Sequence, residues 1–176
     1  MPRCVAFLRA VNVGGRTVKM DALRGAFEAL ALTNVETFIA SGNVIFDSRA
    51  RDLAALERKI EAQLLKSFGF EIHTFVRTLE DVAAVAAHPA FDAAATTQVV
   101  GFLRSAPTPE ALQTIARMAT EIDRLQVQGR ELFWFSDNRQ SESVFSNAAF
   151  ERALAMRTTF RGVGTLRKLV ARHAEH

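Results

Sequence analysis

The sequence predicts an α+β protein made of two tandem ferredoxin-like (βαββαβ) repeats with additional helices. Three observations predict it. Ala6-Phe7-Leu8-Arg9-Ala10 returns as Gly101-Phe102-Leu103-Arg104-Ser105, each at the end of an apolar run and just before a turn-rich stretch. Each is followed by the same order of one amphipathic segment, two short apolar runs and another helical segment, and an internal repeat fixes architecture before any residue chemistry is considered. The chain, at 176 residues, is also long enough for two small cores.

The elements follow in order. Residues 3 to 11 carry a strand pattern, which Asn12-Val13-Gly14-Gly15-Arg16 breaks with turn chemistry. Met20, Leu23, Phe27 and Leu30 then recur at the spacing of one helical face. Val35 to Ala40 and Val44 to Asp47 are strands around Ser41-Gly42-Asn43, where Gly and Asn tolerate the positive φ of a tight hairpin. Leu53, Leu56, Ile60 and Leu64 mark the next helix, with Asp52 as its N-cap and Gly69 as its stop. Glu71 to Arg77 is a strand, and Thr78 with Asp81 forms a capping box for a helix reaching His88, ended by Pro89.

The second half repeats this order. Gln98 to Arg104 is a strand, and Thr108 with Pro109 opens a helix through Leu112, Ile115 and Ala119. Ile122 to Gln128 and Glu131 to Phe135 flank a hairpin at Gly129-Arg130. Val144 to Leu154 is helical, Arg157 to Arg161 is strand-like, and Thr165 to His173 is a final helix. The repeats are expected at 1–90 and 97–176, the second ending in the basic C-terminal helix. The seam, Pro89 to Thr97, is short and apolar, so the halves are expected to pack together.

Composition sets the class. No apolar run approaches the roughly 18 residues of a membrane span, and Met1-Pro2-Arg3 leads straight into a strand pattern instead of a signal peptide, so no membrane partner is expected. The lone Cys4 can form no internal disulfide, which agrees with the cytosol. A net charge of +3 is too mild to argue for a nucleic-acid partner by itself.

In a βαββαβ unit the first and second strands point the same way. The loop after the first, Asn12 to Arg16, and the hairpin after the second, Ser41 to Asn43, therefore emerge at one end of the sheet. This inference rests on topology and not on sequence proximity.

The run Phe7-Leu8-Arg9-Ala10-Val11-Asn12-Val13-Gly14-Gly15, then Val18-Lys19-Met20, then Thr37-Phe38-Ile39-Ala40-Ser41-Gly42-Asn43-Val44-Ile45-Phe46, resembles the bacterial domain-of-unknown-function family 1697. Arg77-Thr78 with Glu80, and His88-Pro89-Ala90-Phe91, resemble later family signatures. Thr158-Thr159 through Thr165-Leu166 with Lys168-Leu169 resembles the C-terminal one. The resemblance covers nearly the whole chain and implies the duplicated α+β fold; it implies no activity. Phe160-Arg161-Gly162-Val163 departs from it, standing where the family leads one to expect a Thr-Arg-Asn-Trp type run, which leaves that segment's role open.

The chemistry points to binding. Gly14-Gly15 can present bare backbone N–H groups before a helix N-terminus, a ready anion site, with Arg9, Arg16 and Lys19 around it. Lys19 opposes the helix macrodipole in the first turn unless it is solvated or shares an anion. The plain alternative is a turn with Lys19 in water. Ser41-Gly42-Asn43 is equally readable as a hairpin turn alone, and gains functional weight from lying at the same end. Together Arg9, Asn12, Gly14, Gly15, Lys19, Ser41, Gly42 and Asn43 offer cations, hydroxyl, amide and backbone donors. Such a set suits a phosphate- or nucleotide-like anion and is poor at proton transfer.

Catalytic constellations are thin. His73, His88, His173 and His176 show no metal-ligand spacing, and there is no G-x-S-x-G, Walker A or G-x-G-x-x-G. Cys4 lies in an apolar strand and reads as core. No metal or cofactor is expected, and no residue stands out as base or nucleophile. One alternative is a nucleic-acid module, with Phe38, Phe46 and Leu132-Phe133-Trp134-Phe135 as stacking platforms and Arg157, Arg161, Arg167, Lys168 and Arg172 on phosphates. It ranks lower because apolar residues occupy both faces of several strands, which buries the aromatics. The other alternative is a structural or oligomeric module with Arg9 and Arg104 as ion-paired struts.

Overall fold

A computed structural model of the chain describes residues 1–9, 17–38, 42–91, 95–139 and 145–173. The protein is α+β, with two four-stranded antiparallel sheets and six helices among the described residues. Two compact units divide it, Met1–Ala84 with Leu169–His176, and Val85–Lys168.

The first unit runs β1 (Arg3–Leu8), α1 (Met20–Glu28), β2 (Thr33–Thr37), β3 (Asn43–Asp47), α2 (Leu53–Phe68), β4 (Thr74–Thr78) and most of α3 (Leu79–Ala86). The sheet order is β2-β3-β1-β4, all neighbours antiparallel. Side chains alternate across a strand, and here both faces are apolar. Cys4, Ala6, Leu8, Val44, Phe46 and Val76 form one cluster with Leu23 and Phe27 of α1 and Leu56, Ile60 and Leu64 of α2. Val5, Phe7, Ile45 and Phe75 on the alternate positions are fully buried as well.

The expected helix signals are where the sequence places them. Asp52 accepts from Ala55 N–H and Gly69 ends α2 in the left-handed region at φ 80°. Thr78 Oγ1 accepts from Asp81 N–H at 3.0 Å. Strand limits shift by a few residues, because pairing and not composition sets them. β4 starts at Thr74, opposite Leu8 of β1, so Glu71 to His73 precede it. β2 begins at Thr33, with a register shift against β3 between Thr33 and Glu36 and Asn34 left-handed at φ 50°. Val35 to Thr37 of the expected strand lie in β2, Phe38 follows it, and Ile39 and Ala40 lie outside the described residues.

The second unit runs β5 (Thr97–Leu103), α4 (Pro109–Met118), β6 (Asp123–Gln128), β7 (Glu131–Ser136), α5 (Asn147–Leu154), β8 (Thr158–Gly162) and the first turns of α6 (Val163–His173). The order is β6-β7-β5-β8, again all antiparallel. Thr108 caps α4 through Ala111 N–H with Pro109 in the first turn, and Gly129 turns the β6–β7 hairpin at φ 58°. Ser146 is the N-cap of α5, accepting from Ala149 N–H, and Val144 of the expected helix lies outside the described residues. Val99, Leu103, Leu132 and Trp134 pack with Ile115, Phe150 and Leu154. Trp134 Nε1 donates to the buried Asp123 Oδ1 at 2.9 Å, so the indole brings its own acceptor into the core.

The divergent segment contributes a packing contact in this unit. Phe160 lies opposite Gly101 in the β5–β8 register, where a Cβ on Gly101 would stand 2.8 Å from the Phe160 ring. The same place in the first unit pairs Ala6 with Val76. A larger side chain on the edge strand is matched by a smaller one at its centre.

Candidate functional site

Of the eight residues expected at the site, Asn12, Gly14, Gly15 and Ser41 lie outside the described residues, as does Arg16. Arg9, Lys19, Gly42 and Asn43 are described. Phe7 of β1 is level with Asn43 of β3, and Leu8 with Thr74 of β4. The last residues of β1 and the first of β3 and β4 thus share one end of the sheet. Arg9 follows there, its N–H donating to His73 O at 2.9 Å.

Asn43 corrects the turn expectation. It is the first residue of β3, nearly fully buried, and is not among the residues with positive φ. Its Nδ2 donates to Phe38 O at 3.0 Å while Phe38 N–H donates to Asn43 O at 3.0 Å, so the residue ties the hairpin's two strands together. Register explains this: a position facing Phe7 in the interior needs its amide satisfied within the sheet.

Lys19 is likewise displaced by one position. It is the N-cap of α1, in extended conformation and exposed, and makes no side-chain cap hydrogen bond. Its carbonyl accepts from Leu23 N–H. An N-cap residue that gives no side-chain acceptor does not itself satisfy the first-turn N–H groups, which are the groups an anion can use. Asp21 in that turn offsets part of the positive end.

Two neighbours carry no signal in the sequence. His73 Nδ1 stands 3.5 Å from Glu61 Oε2, both partly exposed, at the end of the sheet that receives Arg9. Their pairing joins the strand-4 entry to α2, and only the fold brings positions 61 and 73 together. Phe38, expected as a stacking platform, is the other, and its contacts are what the sequence does not signal: Arg172 sits 5.7 Å above its ring and His173 meets it edge-on at 5.9 Å.

Elsewhere the chemistry is muted. Burial first, then Asp47 and Asp81, push the Cys4 thiol up to about 11, so it is protonated at neutral pH. His88 Nδ1 accepts from Ala90 N–H, which leaves Nε2 to donate to Gln128 Oε1, and its ring rests on Phe133 at 4.7 Å. Among the described residues no group of three or more His, Cys, Asp or Glu is placed to hold a metal ion.

The basic segment is engaged in part, and Arg157, Arg167, Lys168 and Arg172 are exposed. Arg161 is half-buried, donating to Thr159 Oγ1 at 2.7 Å and Phe160 O at 2.9 Å, and burial pushes its guanidinium down to about 10. Arg157 lies 4.0 Å from Glu151, and Arg167 covers Phe91 at 5.8 Å. Lys168 and Arg172 are exposed on α6. The aromatic candidates are interior: Phe46, Phe133, Trp134, Phe135 and Phe38 are all buried, leaving no ring face for a base.

A family model described as "Protein of unknown function (DUF1697)" matches residues 1–133. A solved structure titled "The structure of conserved bacterial protein SP0830 from Streptococcus pneumoniae" is similar over 99% of this chain and 99% of its own, at 25% identity and a TM-score of 0.75. No curated protein matches the chain. Among the described residues no helix is long and apolar enough to cross a membrane.

Proposed function

The chain belongs to the DUF1697 family of unknown function, and for it we propose that the loop after β1 and the β2–β3 hairpin bind a small phosphate- or nucleotide-like anion. One observation carries the reading. The β1–β3 register sets Phe7 beside Asn43, so the chain leaves β1 and enters β3 at one end of the sheet. The start of α1 supports it, since Lys19 at the N-cap makes no side-chain cap hydrogen bond to the backbone N–H groups there. In this reading Arg9 and Lys19 supply charge, and Asn12, Gly14, Gly15, Ser41 and Gly42 supply neutral donors. Asn43 holds the hairpin closed. No reaction is assigned.

The same proposal treats each unit as a ferredoxin-like βαββαβ repeat, in line with the shared sheet order and the helix after the first and third strand of each. Domain limits at 1–90 and 97–176 and a cytosolic address for a chain with one buried thiol belong to it too.

Thermal shift with inorganic phosphate, nucleotides, sugar phosphates and carboxylates tests it, because a native-state binder raises the melting temperature. Lys19→Ala is expected to keep the fold and weaken the best anion by about tenfold to a hundredfold, the loss of one charge-assisted contact. A panel without any stabilising anion, or an affinity indifferent to Lys19→Ala, refutes the reading.

A further inference from the structure

The last turn of α6 lies on the hairpin of the first unit. The His173 side chain is 2% exposed, and its Nδ1 stands 3.3 Å from Glu36 Oε2 on β2. Its ring meets Phe38 edge-on, and Arg172 covers the same phenyl ring. Phe38 in turn is bonded twice to Asn43, closing the hairpin. A titratable ring and the residue that shuts the hairpin are therefore in direct contact.

The charges around that ring can be followed element by element. Glu36 faces it from β2. Arg3 of β1 donates to Glu36 Oε2 at 2.9 Å and to Asp47 Oδ1 of β3 at 3.1 Å. Arg172, on the same helix, is turned to Phe38. The N-terminal ammonium also acts on Asp47, beside Arg3. Glu36 is the carboxylate that the ring itself faces, and an imidazolium adds a second cation to it beside Arg3, at the C-terminal end of α6, where the helix dipole favours a cation. Arg172 opposes, but its guanidinium already sits over an aromatic face.

We propose that His173 is a pH-sensitive clamp: its protonation tightens the last turn of α6 on Glu36 and Phe38, so the β2–β3 hairpin opens less readily in mild acid. The consequence for anion affinity rests on the function proposed above; the clamp itself does not.

Hydrogen exchange at the Phe38 amide, which is bonded to Asn43 O, reads the clamp directly. Rates corrected for intrinsic exchange are compared at about pH 5.5 and about pH 7.5, either side of the ordinary imidazole value near 6.5. Protection is expected to rise by about threefold to tenfold in acid, the range of a partly buried charge contact at a helix end. His173→Gln and, with the histidine intact, Glu36→Gln are each expected to abolish the rise, and either one suffices if the other fails to fold. Protection indifferent to pH in the parent protein, or an undiminished acid rise in the folded variants, overturns the clamp. Inorganic phosphate titrated at the same two pH values separates the ideas. Exchange that responds without phosphate binding leaves the clamp standing and removes the site; binding without a response in exchange does the reverse.

Discussion

Cys4 shows how burial decides whether a reactive residue type has any reactivity. The thiolate is the nucleophile, and burial beside Asp47 and Asp81 keeps this thiol protonated far above neutral pH. A thiol reagent is expected to leave Cys4 untouched in the native protein at neutral pH and to modify it fully in denaturant; rapid native labelling contradicts its burial. The linkage has a definite sign. The folded value, about 11, exceeds the ordinary thiol value of 9.0, so the unfolded chain ionises first. Stability is complete below the unfolded value and falls as pH rises through the interval up to the folded one. Asp47 works oppositely. Burial pulls its pKa up, but the hydrogen bonds from Asn34 and Arg3 and the Arg3 charge outweigh it and hold the carboxyl below 3.8. Its contribution is present above that value and is lost as pH falls through the folded one.

Gly101 makes a sharper case at the same scale. Its missing Cβ is the space the Phe160 ring occupies, 2.8 Å away. Gly101→Ala is expected to cost about 1 to 3 kcal/mol, the range of overpacking a filled core. Adding Phe160→Val, which restores the small-with-medium pairing of Ala6 and Val76, is expected to recover part of the loss. Urea melts followed by Trp134 emission complete the double-mutant cycle. Strictly additive losses mean the two side chains do not share that space.

Among the elements, the edge strands repay attention because an edge leaves backbone groups unpaired. β4 and β8 are the edges next to the central strands, and each is served by a glutamate from a helix. Glu57 Oε1 of α2 accepts from Val76 N–H at 3.1 Å, and Glu151 Oε1 of α5 accepts from Thr158 N–H at 3.3 Å. Each strand also carries an arginine at the matching register position, Arg77 opposite Val5 and Arg161 opposite Val100. Arg77 donates to Val76 O at 3.0 Å, and its guanidinium lies 3.9 Å from Glu57, both side chains 1% exposed. Removing one member of a buried pair strands the other. Glu57→Ala is therefore expected to cost about 3 to 5 kcal/mol, while Glu61→Ala on the partly exposed flank of α2 costs about 1 kcal/mol or less. Chemical denaturation followed by circular dichroism distinguishes the two; equal losses would show that Glu57 is not a buried partner.

At the scale of the whole molecule, α6 is the element that the repeat pattern describes least well. Its residues fall in both compact units, the division coming between Lys168 and Leu169. It also starts at Val163, not Thr165, because β8 runs directly into it. Val163, Leu166, Leu169 and His173 form its buried face, and Gly164, Arg167, Lys168, Ala171 and Arg172 are exposed. Leu169→Ala is expected to destabilise the protein by about 2 to 5 kcal/mol, as for a fully buried leucine. Lys168→Ala, one residue away on the solvent side, is expected to stay within about 0.5 kcal/mol of the parent. A melting-temperature comparison is enough, and similar shifts for both would contradict the assigned helix face.

What the sequence determined by itself was local or periodic. The caps at Asp52, Thr78 and Thr108, the stop at Gly69 and the turn at Gly129 depend on neighbours three or four positions away, and the α+β alternation follows from hydrophobic spacing. The repeated Phe-Leu-Arg strand ends foretold two sheets of four strands. Tertiary structure decided what depends on partners distant in sequence. Asn43 became a strand residue because Phe7 stands beside it, and Arg161 moved from a supposed phosphate contact to a half-buried strand position bonded to Thr159 and Phe160 because β8 pairs with β5. The pairs His73 with Glu61 and His173 with Glu36 had no sequence signal at all. A side chain's chemistry is set by burial and by what faces it across the sheet, and neither is a property of the residues next to it in the chain.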